Sequence, residues 1–197
     1  MSELKRICVF CGSSAGRRPE FRATAREMGR LLGVRRIGLV YGGGKRGLMG
    51  ELADAALEAG ADVIGVIPRQ LEELELAHQG LTELRVVESM HERKALMADL
   101  SDAFIGMPGG FGTMEEFFEA ATWAQLGIHS KPLGLLNVCG YFDLIQQFFS
   151  HAVSERFLQQ EHASQIIVRS LPDELLAALH AYQPDTVMKA SLAPQSR

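Results

Sequence analysis

Basic charge is in short supply in this chain. Its 20 lysines and arginines are outnumbered by 24 acids over 197 residues, for a formal net charge of −4. That balance leaves no electrostatic footprint for a nucleic-acid backbone, whose binders display clustered cations. Long apolar runs are missing too, since no stretch approaches the roughly 18 residues needed to span a bilayer. The opening MSELKRICVFCGSS passes directly into a strand-like run, without the layout of a secretory leader. The expectation is a cytoplasmic protein with neither nucleic acid nor membrane as partner.

Cysteine is scarce and odd in number, with Cys8, Cys11 and Cys139 as the full set of 3. An odd count argues against a disulfide framework. Cys8 and Cys11 spell C-x-x-C, yet no second Cys/His pair stands at metal-ligand spacing. In a strand, an offset of three sends the two side chains to opposite faces. Both are expected to be small buried residues, with no metal and no cofactor held there. Also absent is G-x-x-x-x-G-K-[ST], so hydrolysis of a triphosphate on a P-loop has no support.

What the chain does have is alternation. Strand-like runs ICVFCG (7–12), IGLVYGG (37–43), DVIGVI (62–67), LRVVE (84–88), DAFIGMP (102–108), PLGLLNV (132–138) and QIIV (165–168) are nearly continuous in hydrophobic residues. Such runs mark strands covered on both faces. Between them the apolar positions repeat every 3.6 residues: Phe21, Met28, Leu31 and Leu32; Leu48, Leu52, Ala55 and Ala56; Met114, Phe117, Phe118 and Ala121; Leu144, Ile145, Phe148, Phe149 and Ala152. Right-handed strand–helix–strand units follow. The predicted fold class is α/β, a Rossmann-like doubly wound sheet of about seven mostly parallel strands with helices on both faces. One nucleotide-binding domain is expected over residues 1–183, with a flexible tail over 184–197.

Ligands of such sheets bind outside the C-terminal ends of the strands. Four loops there carry unusual chemistry. CGSSAG (11–16) offers the hydroxyls of Ser13 and Ser14 at a helix entrance, suited to an anion or to simple capping. YGGGKRGLMG (41–50) contains Gly42, Gly43 and Gly44, and with Gly47 it formally reads G-x-G-x-x-G. A dinucleotide site would also want an acid at the end of the following strand. Asp62 stands at the wrong end, so phosphate or nucleotide contact is the reading that survives. In ESMHERKALMADL (88–100), Ser89-x-x-Glu92 reads as a capping box, which puts Arg93 and Lys94 just past the first helical turn. Cations there oppose the helix dipole unless an anion joins them. The fourth loop, PGGFGTMEE (108–116), brings Gly109, Gly110 and Gly112 to a helix expected to start near Thr113. Thr113-x-x-Glu116 is itself a capping box by pattern. Singly the loops have plainer readings: capping turns for CGSSAG and PGGFGTMEE, and two solvated surface charges for Arg93 and Lys94. Together they supply backbone donors, two cations and two carboxylates, which suits a ligand with an anionic end and a polyol or reacting carbon nearby. A nucleoside monophosphate is the simplest such molecule.

The pair MHERK and PGGFGTMEE, with YGGGKRGLMG, CGSS and TWAQLGIHSKPLGLLN (122–137), resembles the LONELY GUY (LOG) family of cytokinin riboside 5′-monophosphate phosphoribohydrolases. The resemblance runs from about residue 6 to 160. It implies a Rossmann-like, usually dimeric enzyme that needs no cofactor and splits an adenine-type nucleotide into base and ribose 5-phosphate. By the resemblance, Arg93 and Glu116 are catalytic. Gly109, Gly110, Phe111, Gly112, Thr113, Met114 and Glu115 form the phosphoribose-binding loop, with Phe111 where tyrosine is common. Lys94 and Thr122 match nucleotide contacts, and Glu75 matches an acid that contacts the base. Glu115 is expected on the ribose hydroxyls, and the CGSS and YGGG segments on the 5′-phosphate. Two rivals stand beside this reading. One is a module of the same fold that binds a nucleotide without turnover. The other is lysine decarboxylation, an older label in the family. It usually needs pyridoxal phosphate on a lysine, and Lys45, Lys94 and Lys131 have no evident pyridinium partner.

Overall fold

The hydrophobic runs pair into a single parallel sheet, because those in its interior are apolar on both sides and are satisfied between two layers of helices. The computed structural model describes residues 4–72 and 77–184. Its strands are β1 (Arg6–Phe10), β2 (Gly38–Tyr41), β3 (Val63–Pro68), β4 (Glu83–Val87), β5 (Ala103–Gly106), β6 (Leu133–Leu136) and β7 (Ile166–Arg169). They lie side by side in the order β4-β3-β2-β1-β5-β6-β7, every neighbouring pair parallel. All seven expected runs are therefore strands, with ends that differ from the expected ones by one or two residues in either direction.

The helices are α1 (Pro19–Val34), α2 (Gly47–Glu58), α3 (Arg69–Glu72), α4 (Met90–Asp99), α5 (Phe111–Gln125), α6 (Asp143–Ser154), α7 (Gln160–Ser164) and α8 (Pro172–Ala181). The short α3 and α7 carry too few residues to show a helical period, and the sequence pattern missed them. One face of the sheet is covered by α1, α2 and α8 through Met28, Leu32, Leu52, Ala56, Leu175 and Leu179. The other is covered by α4 and α5 through Met97, Ala98, Phe117, Ala120 and Ala124. β1 shows the alternation directly. Ile7, Val9 and Cys11 belong to the first core and Cys8 and Phe10 to the second, so the two thiols do point to opposite faces. Among the described residues no helix is long and apolar enough to cross a membrane.

The chain order sets the position of the crevice. From β1 the chain runs outward through β2, β3 and β4, then returns to the far side of β1 as β5. Between β1 and β5 the connections diverge to opposite sides, and this switch point is where open α/β sheets bind ligands. The loops leaving these two strands are CGSS and PGGFG. They are tied together where Gly12 N–H donates to Pro108 O at 3.0 Å.

Candidate active site

α4 begins as its sequence predicts. Ser89 is the N-cap, and its hydroxyl accepts the Glu92 N–H at 3.1 Å. The Glu92 carboxylate reaches back to the N–H of Glu88 at 2.9 Å, one residue before the cap. This cap fixes the helical phase, and Arg93 lands on the sheet-facing side. Its side chain is only 6% exposed, so the reading of two solvated surface charges does not hold for it.

The entry to α5 differs from expectation. The helix starts at Phe111 with Gly110 as N-cap, and no side chain caps it. Thr113 is thus the third helical residue, and Thr113-x-x-Glu116 makes no capping box. The physical reason is that glycine can itself occupy the N-cap, so the three glycines start the turn earlier than the box pattern implied. Gly109 cannot be larger, since a Cβ there would lie 2.1 Å from Thr113 Oγ1 and 2.9 Å from Gly12 N. Glu116 is freed from capping and faces α4. Its Oε1 lies 3.5 Å from Nη2 of Arg93, and it is only 11% exposed.

Arg93 is further shaped by the second glycine loop. Its Nη2 donates to the Gly42 carbonyl at 3.5 Å, and a Cβ on Gly42 would lie 2.2 Å from that nitrogen. Its Nη1 meets Met90 Sδ at 3.8 Å, while Nε is buried without a hydrogen-bond partner among the described residues. A buried guanidinium whose Nε is unpartnered among the described residues, and whose Nη contacts at Gly42, Glu116 and Met90 are 3.5 Å or longer, is poised for a further acceptor.

These groups border a cavity of about 350 Å³. Arg93 and Glu116 form one part of its wall, with Gly12, Ser13 and Gly42 beside them. Gly110, Phe111, Gly112 and Thr113 supply the start of the 15-residue α5, whose first N–H groups have no partners inside the helix. Leu71, Met49 and Met90 add an apolar portion that the sequence reading did not single out. A helix N-terminus favours an anion, and the cation of Arg93 lies on the same cavity. Phe111 stands at the mouth, 98% exposed.

Other expected site residues lie elsewhere. Gly109 supports the turn from behind, and Ser14 lines an adjoining hollow with Gly16, Phe21 and Tyr141. Gly43 accepts the His78 N–H at 3.0 Å, and Gly44 bridges to Ala77, so both serve the backbone beneath the cavity. Met114 packs into the core under α5. Glu115 points away from the cavity and binds Lys94 Nζ at 2.5 Å, with Glu119 on the same ammonium at 3.1 Å. Burial pulls the Lys94 ammonium down, but the hydrogen bonds to Glu115 and Glu119 outweigh it and its pKa stands above the ordinary lysine range. Thr122 donates to Phe118 O at 2.7 Å, beside a separate apolar hollow that includes Phe148 and Phe149. Glu75 lies outside the described residues, as does all but the first residue of the expected tail.

Burial, with the Glu116 carboxylate nearby, pushes the Cys8 and Cys11 thiols far above their usual range, so neither is a nucleophile. Lys131 is engaged with Ala98 O at 2.7 Å and Lys94 with two carboxylates, which leaves neither lysine placed like a Schiff-base group. Among the described residues no group of three His, Cys, Asp or Glu could hold a metal ion.

The fold and this crevice define a class: a Rossmann-like α/β protein with an anion-suited loop and a buried arginine–carboxylate pair at its switch point. Comparison with known proteins narrows it. The family model described as "possible lysine decarboxylase" matches residues 49–179. The probable cytokinin riboside 5′-monophosphate phosphoribohydrolase LOGL9 of Oryza sativa subsp. japonica is 50% identical over 185 residues, covering 93% of this chain and 81% of its own. Cytokinin riboside 5′-monophosphate phosphoribohydrolase LOG7 of Arabidopsis thaliana is 47% identical over 184 residues, with 93% and 85% covered. The chain belongs to this LOG family. Among solved structures, the molybdenum cofactor binding protein of Rippkaea orientalis shares the fold with a TM-score of 0.69 at 21% identity, over 92% of this chain and 98% of that one.

Proposed function

We propose that this protein is a phosphoribohydrolase: it hydrolyses the N-glycosidic bond of adenine-type nucleoside 5′-monophosphates, cytokinin riboside monophosphates or AMP, to free base and ribose 5-phosphate. The observation that carries the reading is the buried Arg93–Glu116 pair on the cavity bordered by the N-terminus of α5. Kinship at about half identity with phosphoribohydrolases supports it.

Cleaving an N-glycoside builds positive charge on the ribose as the base departs. Glu116, buried beside the Arg93 guanidinium, stabilises that charge and orients or activates the attacking water. Because its side chain is only 11% exposed, its field acts through little solvent. Arg93 keeps the carboxylate in place and brings its positive charge to the cavity wall, where a substrate oxygen can meet it. The backbone N–H groups at Gly110–Thr113, with Ser13, take the 5′-phosphate. Their grip on a remote group orients the sugar over the carboxylate. Glu75 is assigned to the base by the family resemblance. Lys94 and Glu115, bound to each other, join α4 to α5 and keep Arg93 and Glu116 opposed. Cytoplasmic action as a homodimer completes the proposal. It is supported by three free thiols and by exposed apolar residues on α6.

The test is release of free base from AMP and from an N6-substituted analogue. Glu116→Gln preserves shape and removes the charge, and it is expected to lower kcat by roughly 10²–10⁴. Unchanged turnover by a folded variant would refute the assignment.

A further inference from the structure

The turn after β6 begins at Asn137, the last residue of the TWAQLGIHSKPLGLLN stretch, yet has no part in the chemistry above. It is rigidly built. Asn137 donates from Nδ2 to Asp143 Oδ1 at 2.7 Å, and its Oδ1 accepts the Phe142 N–H at 2.7 Å. Its own N–H donates to Arg169 O at 2.8 Å. Cys139 and Gly140 both take positive φ, 53° and 72°, and reverse the chain. Tyr141 is thereby placed beside the PGG turn, its ring edge-on to Phe21 and Phe142 at centroid distances of 5.7 and 5.1 Å. Its hydroxyl donates to the Gly109 carbonyl at 2.6 Å.

That one hydrogen bond acts on a peptide unit between two glycines, the pair least able to hold its own orientation. The carbonyl and N–H of a trans peptide point to opposite sides, and no peptide in the described chain is cis. Holding Gly109 C=O on the side of Tyr141 therefore turns Gly110 N–H to the other side. Gly110 stands between two hollows, one shared with Tyr141 and one shared with Arg93 and Glu116. The preceding carbonyl, Pro108 O, is occupied by Gly12 N–H. Both carbonyls of the turn are thus tied up, so neither is free to face an anion.

We propose that Tyr141 is a positioning residue for the phosphate end of the substrate: its hydroxyl locks the Gly109–Gly110 peptide so that Gly110 N–H stays aimed into the catalytic cavity. The proposal rests on the reading of the glycine loop as the phosphate cradle. Without the hydroxyl the peptide is free to flip and to present its carbonyl oxygen to the phosphate.

Tyr141→Phe keeps the ring and both edge contacts and deletes only the donor. Steady-state kinetics on AMP are measured with inhibition by ribose 5-phosphate and, separately, by adenine. KM for AMP and Ki for ribose 5-phosphate should rise together, about five- to ten-fold for one lost hydrogen bond. Ki for adenine, which has no phosphate, should not move, and neither should the melting temperature. Unchanged Ki for ribose 5-phosphate, or an equal loss for adenine, overturns the role of Tyr141. Phe111→Pro, which deletes one backbone N–H of the cradle at the first helical position, where proline is tolerated, is assayed in parallel and separates this from the underlying reading. If it weakens ribose 5-phosphate while Tyr141→Phe does not, the cradle stands and the positioning role falls. If neither variant weakens it, the cradle assignment itself has failed.

Discussion

Arg93 concentrates the physical tension of the molecule in one side chain. A guanidinium removed from water is costly unless its donors are met, and here Nε has no hydrogen-bond partner among the described residues while Nη2 lies 3.5 Å from both Gly42 O and Glu116 Oε1. The arrangement holds because Gly42 leaves room for it. Gly42→Ala would put a Cβ 2.2 Å from Nη2, so the guanidinium must shift and its line to Glu116 is lost. The expected result is a fall in kcat/KM of about 10²-fold, the scale of a 1 Å misplacement at a reacting centre. Folding should be retained, and circular dichroism with base-release kinetics on one preparation checks both. Glu115 and Glu116 make the same point from the other side. They are one residue apart on α5 and so about 100° apart around it, and one meets Lys94 while the other meets Arg93. Composition shows two acids; only the helical phase says which faces the cavity.

Among the elements, the strands were the most legible. The five inner ones had to be apolar on both faces, and that pattern is visible without knowing what covers it, while the edge strands β4 and β7 are partly exposed. The start of α4 was legible because Ser89 and Glu92 cap it through side chains. The start of α5 was not, because a glycine cap leaves no side-chain signature and the Thr113–Glu116 pattern imitated one. Lys94 and Thr122 are assigned to the nucleotide by resemblance; the contacts of Lys94 are with Glu115 and Glu119 of α5, which depends on how two helices cross and not on either sequence alone, and Thr122 bonds within its own helix to Phe118 O. The C-terminal end of α5 carries a pH-sensitive contact. His129 donates from Nε2 to Ala120 O at 3.0 Å, and its Nδ1 accepts the Lys131 N–H at 3.2 Å, so the neutral ring is the one that fits. Burial, then the Lys131 charge, hold its pKa below the ordinary 6.5, against the opposing hydrogen bond to Ala120. The unfolded chain thus takes up this proton first as pH falls. Stability from His129 is full above 6.5 and is lost as pH drops through the folded-state value. Melting temperature measured across pH 7.5 to 4.5 should fall less steeply below about pH 6.5 in His129→Gln than in the parent.

At the scale of the whole molecule, α6 stands out. Its apolar positions repeat as expected for a core helix, yet Leu144 is 75% and Phe148 58% exposed. Phe157 and Ile128 are exposed as well, at 89% and 65%. Aromatic and aliphatic side chains left in water at this density mark a contact surface, and the homodimer proposed above would cover them. Phe148→Glu should convert the dimer to a monomer in analytical ultracentrifugation while leaving the circular dichroism spectrum unchanged. A variant that sediments as the parent does would remove α6 from the interface.

The switch point has a consequence for how activity returns on refolding. Arg93 and Glu116 sit on consecutive helices around β5, so a short stretch of chain can bring them together by itself. On one side β5 pairs with β1, which is joined to it across nearly half the chain, as in the bond from Arg6 N–H to the Asp102 carboxylate over 96 residues. Closing so long a loop is slow compared with forming a local helix pair. Until it closes, Gly12 cannot reach Pro108, and the phosphate end of the crevice has only one wall. Helix content should therefore recover first and turnover later, with docking of the N-terminal strand as the clock.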